Sequence, residues 1–325
     1  MSVSTYFHLM NILNSEEKPH VWGIFGGGFG LYGYLPAIAT LKNSKVLILE
    51  KHLSFVEFRS ELKQYISIVK VVSSRDEILL QADSLIFAVP PFIQEELFWQ
   101  VGLQRRYKYL MLEKPLAVSP EAAMVLLKSA VEIASSVRIG YSFLHSSWGE
   151  MIRQSNAFLD EVDYRLSWKF LAHHFQNPTN SWKGDHEYGG GALRFYGIHL
   201  IAYFASINPT SVEYSRLICH SSGAASRWQA KFKIENGARI TVDIDTRSQV
   251  ESFSIHSSVG KINISTLSPF SGESSANDGD SRIPVLKKLL ESFVSSNDEL
   301  YEFYYRVNQL WAEVEEITEW ISTDE

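Results

Sequence analysis

One cysteine, Cys219, stands in 325 residues. That excludes an internal disulfide and a cysteine-built metal site, and it fits a reducing, cytoplasmic setting. Positive charge is scarce as well. The formal net charge of −7 and a pI near 5.8 leave no basic footprint for nucleic acid. Long apolar runs are missing, and none reaches the ~20 residues of a membrane helix. The opening MSVSTYFHLMNILNSEEKPH has neither a basic n-region nor a proper h-region, so residues 1–19 are expected to be a short leader rather than a signal peptide. The ten histidines show no HExxH or other ligand spacing. The adjacent His173 and His174 would point to opposite faces of a strand. No metal site is predicted. What is present is ordinary for a globular chain, 45% hydrophobic and 21% charged, and long enough for two cores.

The first half alternates short β-rich runs with amphipathic stretches. VWGIF (21–25), KVLILE (45–50), ISIVKVV (66–72), SLIFAV (84–89), YLMLE (109–113) and VRIGYSF (137–143) read as strands. QEELFWQVGLQ (94–104) and SPEAAMVLLKSAVEIASS (119–136) read as helices, the second opened by Ser119 as N-cap and Pro120 at the first turn. Nearly all-apolar strands between helices predict a doubly wound parallel sheet covered on both faces. The second half gives strand after strand: 164–172, 211–219, 227–235, 238–248, 252–258 and 260–266. Asn236-Gly237 predicts a type I′ hairpin there, and Val259-Gly260 joins the next pair. This is a mostly antiparallel open sheet flanked by helices, followed by a polar loop (268–281) and a helical region over roughly 284–321. The domain organisation expected is residues 20–145 and 146–325, an α/β unit followed by an α+β unit.

The stretch VWGIFGGGFGLYG (21–33) holds six glycines and two overlapping phosphate-binding registers. In a Rossmann βαβ unit the first glycine closes the strand and the second admits a pyrophosphate. The strand ends at Phe25, so Gly26 and Gly28 take those places. Leu31 then stands where a third glycine is usual, with Gly30 one residue earlier to relieve the crowding. Phe29 lies within the loop. Glu50, 24 residues after Gly26, would accept from a ribose 2′-hydroxyl and so favours NAD. Lys51 beside it would accommodate a 2′-phosphate, which keeps NADP open.

Three further segments, AVPPFIQEEL (88–97), LEKPLAV (112–118) and GGGALRFYGIHLI (189–201), join GGGFGLYGYLPAI. Together they resemble the glucose–fructose oxidoreductase / inositol dehydrogenase / MocA (Gfo/Idh/MocA) family of NAD(P)-dependent oxidoreductases, from about residue 20 to the C-terminal helix. The resemblance implies a cofactor cradle of Gly26, Gly28, Phe29, Gly30, Glu50, Lys51, Val89, Pro90, Pro91, Glu113 and Lys114. It also implies an acid/base pair, Lys114 of the EKP segment and His199 on a helix facing the nicotinamide, with an unusual peptide geometry before the EKP proline, cis being one form it could take. Two positions depart from the pattern. Gln94 replaces a histidine after the Pro90-Pro91 turn, and Phe195 stands where an aspartate is usual, four residues before His199. Without that carboxylate His199 should be less basic, which makes Lys114 the better proton carrier. Substrate contacts are expected from Tyr141, Trp182, Asp185, Arg194 and Tyr196. Lys183 is a further candidate for hydroxyls or a phosphate, and His145 for the pocket.

The reading that follows is hydride transfer between a nicotinamide cofactor, NAD preferred or NADP, and a hydroxyl or keto carbon of a sugar or nucleotide-sugar-like molecule. Two alternatives stay open: a glycoside hydrolase that retains NAD, and a non-catalytic nucleotide- or sugar-binding relative, for which Phe195 is the main support. The expected partners are the small-molecule substrate and a second copy of the chain, as a homodimer or homotetramer through the C-terminal sheet. Neither nucleic acid nor a membrane is expected as a partner.

Overall fold

The computed structural model describes residues 18–101, 105–155, 162–176, 181–207, 209–220, 223–273, 279–294 and 298–323. The expected leader therefore lies almost wholly outside the described residues. Six strands form the first sheet: β1 (His20–Phe25), β2 (Ser44–Leu49), β3 (Val69–Val72), β4 (Ser84–Phe87), β5 (Tyr107–Leu112) and β6 (Ala134–Ile139). All pair in parallel in the order β3-β2-β1-β4-β5-β6. The chain winds outward from β1 through β2 and β3, then restarts at β4 on the other side. That reversal opens a crevice at the carboxyl ends of β1 and β4, where open α/β sheets hold their ligands.

The second sheet has seven strands, β7 (Tyr164–Leu171), β8 (Pro209–His220), β9 (Ala225–Ile234), β10 (Arg239–Asp245), β11 (Arg247–Ser257), β12 (Asn263–Thr266) and β13 (Thr318–Thr323). Their order is β12-β11-β7-β10-β9-β8-β13. It is mostly antiparallel, with parallel pairing at β7–β10 and β8–β13. Alternation sorts its faces. On β9, Trp228, Ala230, Phe232 and Ile234 are buried, while Arg227, Gln229 and Lys231 point outward. The outer face is tied across strands by Arg227–Asp243 at 2.7 Å, Lys231–Glu213 at 3.2 Å and Arg239–Glu213 at 3.0 Å.

Three local readings change. The Glu235-Asn236-Gly237 loop is not type I′, because only Gly237 of the three takes a positive φ, +89°. Gly237 N donates to Ile234 O at 2.9 Å, so a three-residue loop ending in a left-handed glycine joins β9 to β10. The helix read over 119–136 ends at Ile133, and Ala134 to Ser136 already pair with β5. The C-terminal helical region is two helices, Ile283–Glu291 and Asp298–Glu316, followed by β13.

Ile283–Glu291 crosses back to the first sheet. Its Leu286, Leu289 and Leu290, with Phe293, close a core over Trp22, Ile24, Leu35, Ile38, Ile86 and Met111. The remaining core, from Phe87 and Leu112 through Tyr203 and Trp228 to Trp311, runs continuously between the two sheets.

Candidate active site

A cleft of about 720 Å³ lies between the carboxyl edge of the first sheet and the inner face of the second. At its floor, Gly26 leaves β1 with φ +121°, and a Cβ there would stand 2.2 Å from the Ala88 carbonyl oxygen, so only glycine fits. Gly28 faces the cleft, where a Cβ would meet nothing within 4 Å. Gly30 has turned under the loop, and its Cβ would stand 2.7 Å from Ile24 Cγ2. Gly30 therefore takes the close helix–strand contact that a third glycine usually makes, while Leu31 is buried in the core. The following helix begins with a π turn over Gly30–Tyr34. A left-handed glycine at the strand end and a bare backbone at Gly28 together fit a pyrophosphate cradle in the Gly26/Gly28 register.

Gly26, Gly28, Phe29, Lys51, Val89, Pro90, Glu113 and Lys114 all line the cleft. Pro91 is buried at the start of the Pro91–Val101 helix, beneath Gly189. Glu50 is exposed and lines an adjoining hollow of about 490 Å³ with Leu49, Lys51, Ser73, Ser74 and Arg75. Lys51 and Arg75 line both spaces.

The EKP segment is clamped from below. The buried Gln94 amide donates to Glu113 O and Leu116 O, each at 2.9 Å, and its oxygen accepts from Glu113 N at 2.9 Å. The Lys114–Pro115 bond is cis. Under Lys114 lies the Glu113 carboxyl, which accepts from the Tyr34 hydroxyl and from Lys114 N. Burial pushes the Glu113 carboxyl above its ordinary range, against the pull of the Lys114 ammonium. Lys114 Nζ donates to the Phe195 carbonyl oxygen at 2.9 Å and stands 3.7 Å from the centre of the Phe195 ring. Burial brings its ammonium down to about 7; Glu113 resists, and Arg282 and Lys183 add to the drop. A lysine held there can give or take a proton at neutral pH.

His199 lies in the same cleft on the Ile198–Ala205 helix, stacked on Phe143 at 4.7 Å. Its Nδ1 is 3.4 Å from Ser142 Oγ. Burial first, then the charges of Lys114 and Arg282, hold it well below the usual imidazole range. It is therefore a neutral hydrogen-bonding group here. Tyr196, packed against Trp168, Phe170 and Phe195, is kept protonated by burial. Trp182 and Tyr196 both line the cleft.

Three expected substrate contacts are not among the lining residues. Tyr141 turns into the core against Tyr304, at 6.1 Å between ring centres, and its neighbours Gly140 and Ser142 reach the cleft instead. Arg194 is a strut: it pairs with Glu315 at 2.8 Å and donates to Val118 O and His186 O. Asp185 accepts from Glu187 N at 3.0 Å and bridges to Ala224. His145 is likewise off the cleft, half-buried, its imidazole pushed down to about 4 by desolvation and by Arg153.

Sequence reasoning missed Arg75 at the adjoining hollow and Arg282. The latter lines the cleft beside the glycine loop, its fork taken by Asp280 at 2.8 and 2.6 Å, and its guanidinium lies 4.3 Å from the Phe29 ring centre. Burial would weaken this cation, but the Asp280 hydrogen bonds more than compensate and raise its pKa. Its loop position carries no local signal. Among the described residues no group of three His, Cys, Asp or Glu is placed to hold a metal ion, and no helix is long and apolar enough to cross a membrane.

No family model matches the chain. A curated glucose-6-phosphate 3-dehydrogenase of Bacillus subtilis is 26% identical over 187 residues, 55% of this chain and 51% of that protein, so the match spans about half of each. A 3-ketoreductase from Actinomadura kijaniata, crystallised with NADP and TDP-benzene, superposes with TM-score 0.68 at 14% identity over 94% of this chain and 100% of that one. A myo-inositol dehydrogenase from Corynebacterium glutamicum gives 0.68 at 14% identity over 92% and 96%. A protein of gentamicin A biosynthesis in complex with NAD gives 0.67 at 15% identity over 92% and 94%. At such identities the likeness is one of fold.

Proposed function

We propose that this chain, whose fold is the one shared by the Gfo/Idh/MocA oxidoreductases, is an NAD(P)-dependent oxidoreductase acting on a hydroxyl or keto carbon of a sugar-like substrate. The observation that carries this is one cleft lined by Gly26, Gly28, Lys114 and His199 together. The curated relative and the solved structures, by what they bind and act on, support the same reading.

A bound nicotinamide would accept or supply the hydride. The chain's own residues do the rest. Gly26 to Gly28 receive the pyrophosphate, with Arg282 and Phe29 beside them. Lys114 Nζ takes the proton of a substrate hydroxyl in oxidation and returns it to a carbonyl oxygen in reduction. His199, neutral, hydrogen-bonds and orients the reacting group. Trp168, Trp182 and Tyr196 offer flat apolar faces to a sugar ring. The two cations Lys51, just after β2, and Arg75, just after β3, outnumber Glu50 in the adjoining hollow, so NADP is accommodated as well as NAD. We further assign Arg194 and Tyr141 to the scaffold rather than to the substrate, and the outer face of the second sheet to a homodimer contact. Light scattering reads the latter directly.

The test is calorimetric titration of the purified protein with NAD+, NADH, NADP+ and NADPH, paired with nucleotide release on denaturation. Micromolar binding, or copurified nucleotide, is expected. Neither appearing overturns the proposal.

A further inference from the structure

The cleft is far more positive than the molecule around it. Against a chain net charge of −7, its lining includes Lys51, Arg75, Lys114, Lys183 and Arg282 but only one carboxylate, Glu113. Taking the dinucleotide reading above as given, Lys51 and Arg75 fall to the adenosine end and Arg282, already paired with Asp280, to the glycine loop. That leaves the substrate end with two ammonium groups, Lys114 and Lys183, on opposite accounts. Lys114 has Glu113 beneath it. Lys183 is half-buried on the Trp182–Gly184 turn and has no carboxylate within ion-pair distance among the described residues. The Phe195 ring centre lies 5.6 Å from its Nζ, the same ring that Lys114 covers at 3.7 Å.

Residue 195 is where the resemblance would put an aspartate. An aspartate there would neutralise these cations and repel a second anion. A phenyl ring seats both cations by its quadrupole and leaves their charge unspent. An unpaired ammonium in a half-buried wall is unfavourable unless something arrives to meet it. The ligand chemistry follows from the donor. A guanidinium fork meets carboxylate or phosphate bidentately, but the nearest one, Arg282, stands beside the glycine loop with its fork held by Asp280, so an anion at the substrate end is left to an ammonium. A lone ammonium beside a ring-stacking tryptophan suits a tetrahedral phosphoryl group on a sugar. We propose that the substrate carries such a phosphoryl group, and that Lys183, which shares the Phe195 ring with Lys114, receives it.

The test compares D-glucose, glucose 6-phosphate, glucose 1-phosphate, UDP-glucose and glucuronate as ligands of the cofactor-loaded protein, by calorimetry and by initial rate. The phosphorylated members should bind at least about tenfold more tightly than glucose, as one charge-assisted hydrogen bond allows. The two monophosphates against UDP-glucose separate a phosphate monoester from a nucleoside diphosphate as its source. Lys183→Met should abolish the preference while moving cofactor affinity less than about twofold, and Lys183→Arg should keep most of it. Equal binding of glucose, tighter binding of glucuronate, binding by none of the panel, or a preference that survives Lys183→Met would each overturn the inference. Should no nucleotide bind at all, it is the oxidoreductase reading that fails; the same panel on the free protein, with and without Lys183→Met, still decides the phosphoryl site.

Discussion

Lys114 is poised because three neighbours compete over its proton: the apolar wall, the Glu113 carboxylate below it and the cations beside it. With its pKa brought to about 7, substrate oxidation, which needs the free amine, should rise with pH through about 7. Reduction, which needs the ammonium, should fall through the same range. Opposite-facing profiles of kcat/KM in the two directions check this. Lys114→Met should lower kcat by about 10²–10⁴-fold in both. Tyr34 acts one step removed. Its hydroxyl favours the ionised Glu113, so Tyr34→Phe weakens the anion that supports the ammonium. The inflection should move to lower pH with the cofactor still bound, and an unmoved inflection would remove Tyr34 from the circuit. Much of this site was legible in the chain, since the EKP and GGG segments each mark a sharp backbone event at the end of an element. What was not legible depended on direction. One residue of rotation sends Tyr141 inward and Ser142 to the cleft, and nothing near Arg282 in sequence announces that it returns to Phe29.

At the scale of elements, the glycine loop separates two roles that the motif alone runs together. Gly28→Ala adds a methyl to open space, so the melting temperature should hold while nucleotide affinity drops. Gly30→Ala drives a methyl against Ile24 beneath the loop and should cost about 1–3 kcal/mol of stability, as overpacked cores do. Melting curves with and without nucleotide distinguish the two. The strands of both sheets were readable because their apolar runs are short and broken by glycine, proline or polar turns. β13 was not. TEWIST follows a long helix without a breaker, and it is strand only because β8 offers a parallel edge, an event of tertiary pairing.

Over the whole molecule, the C-terminal segment ties the two halves. Leu290 and its neighbours complete the core over β1, while the Glu315 carboxylate, drawn down to about 2 by His186 and Arg194 despite its burial, braces the turn before His199. Leu290→Ala should destabilise by about 2–5 kcal/mol. Scanning calorimetry should show one cooperative transition, shifted as a unit, rather than a separate early melting of the half built on the first sheet. This brace could not be read from a local pattern, because it joins residues more than a hundred positions apart.

Residue 195 holds Lys114 twice, through its ring and through its main-chain oxygen, and the second contact does not depend on the side chain. A mutation at that codon can therefore exchange one substrate preference for another while the proton carrier keeps its anchor. Selectivity and reactivity share an address here without sharing a fate, and a lineage could explore new sugars at this position without first losing its chemistry.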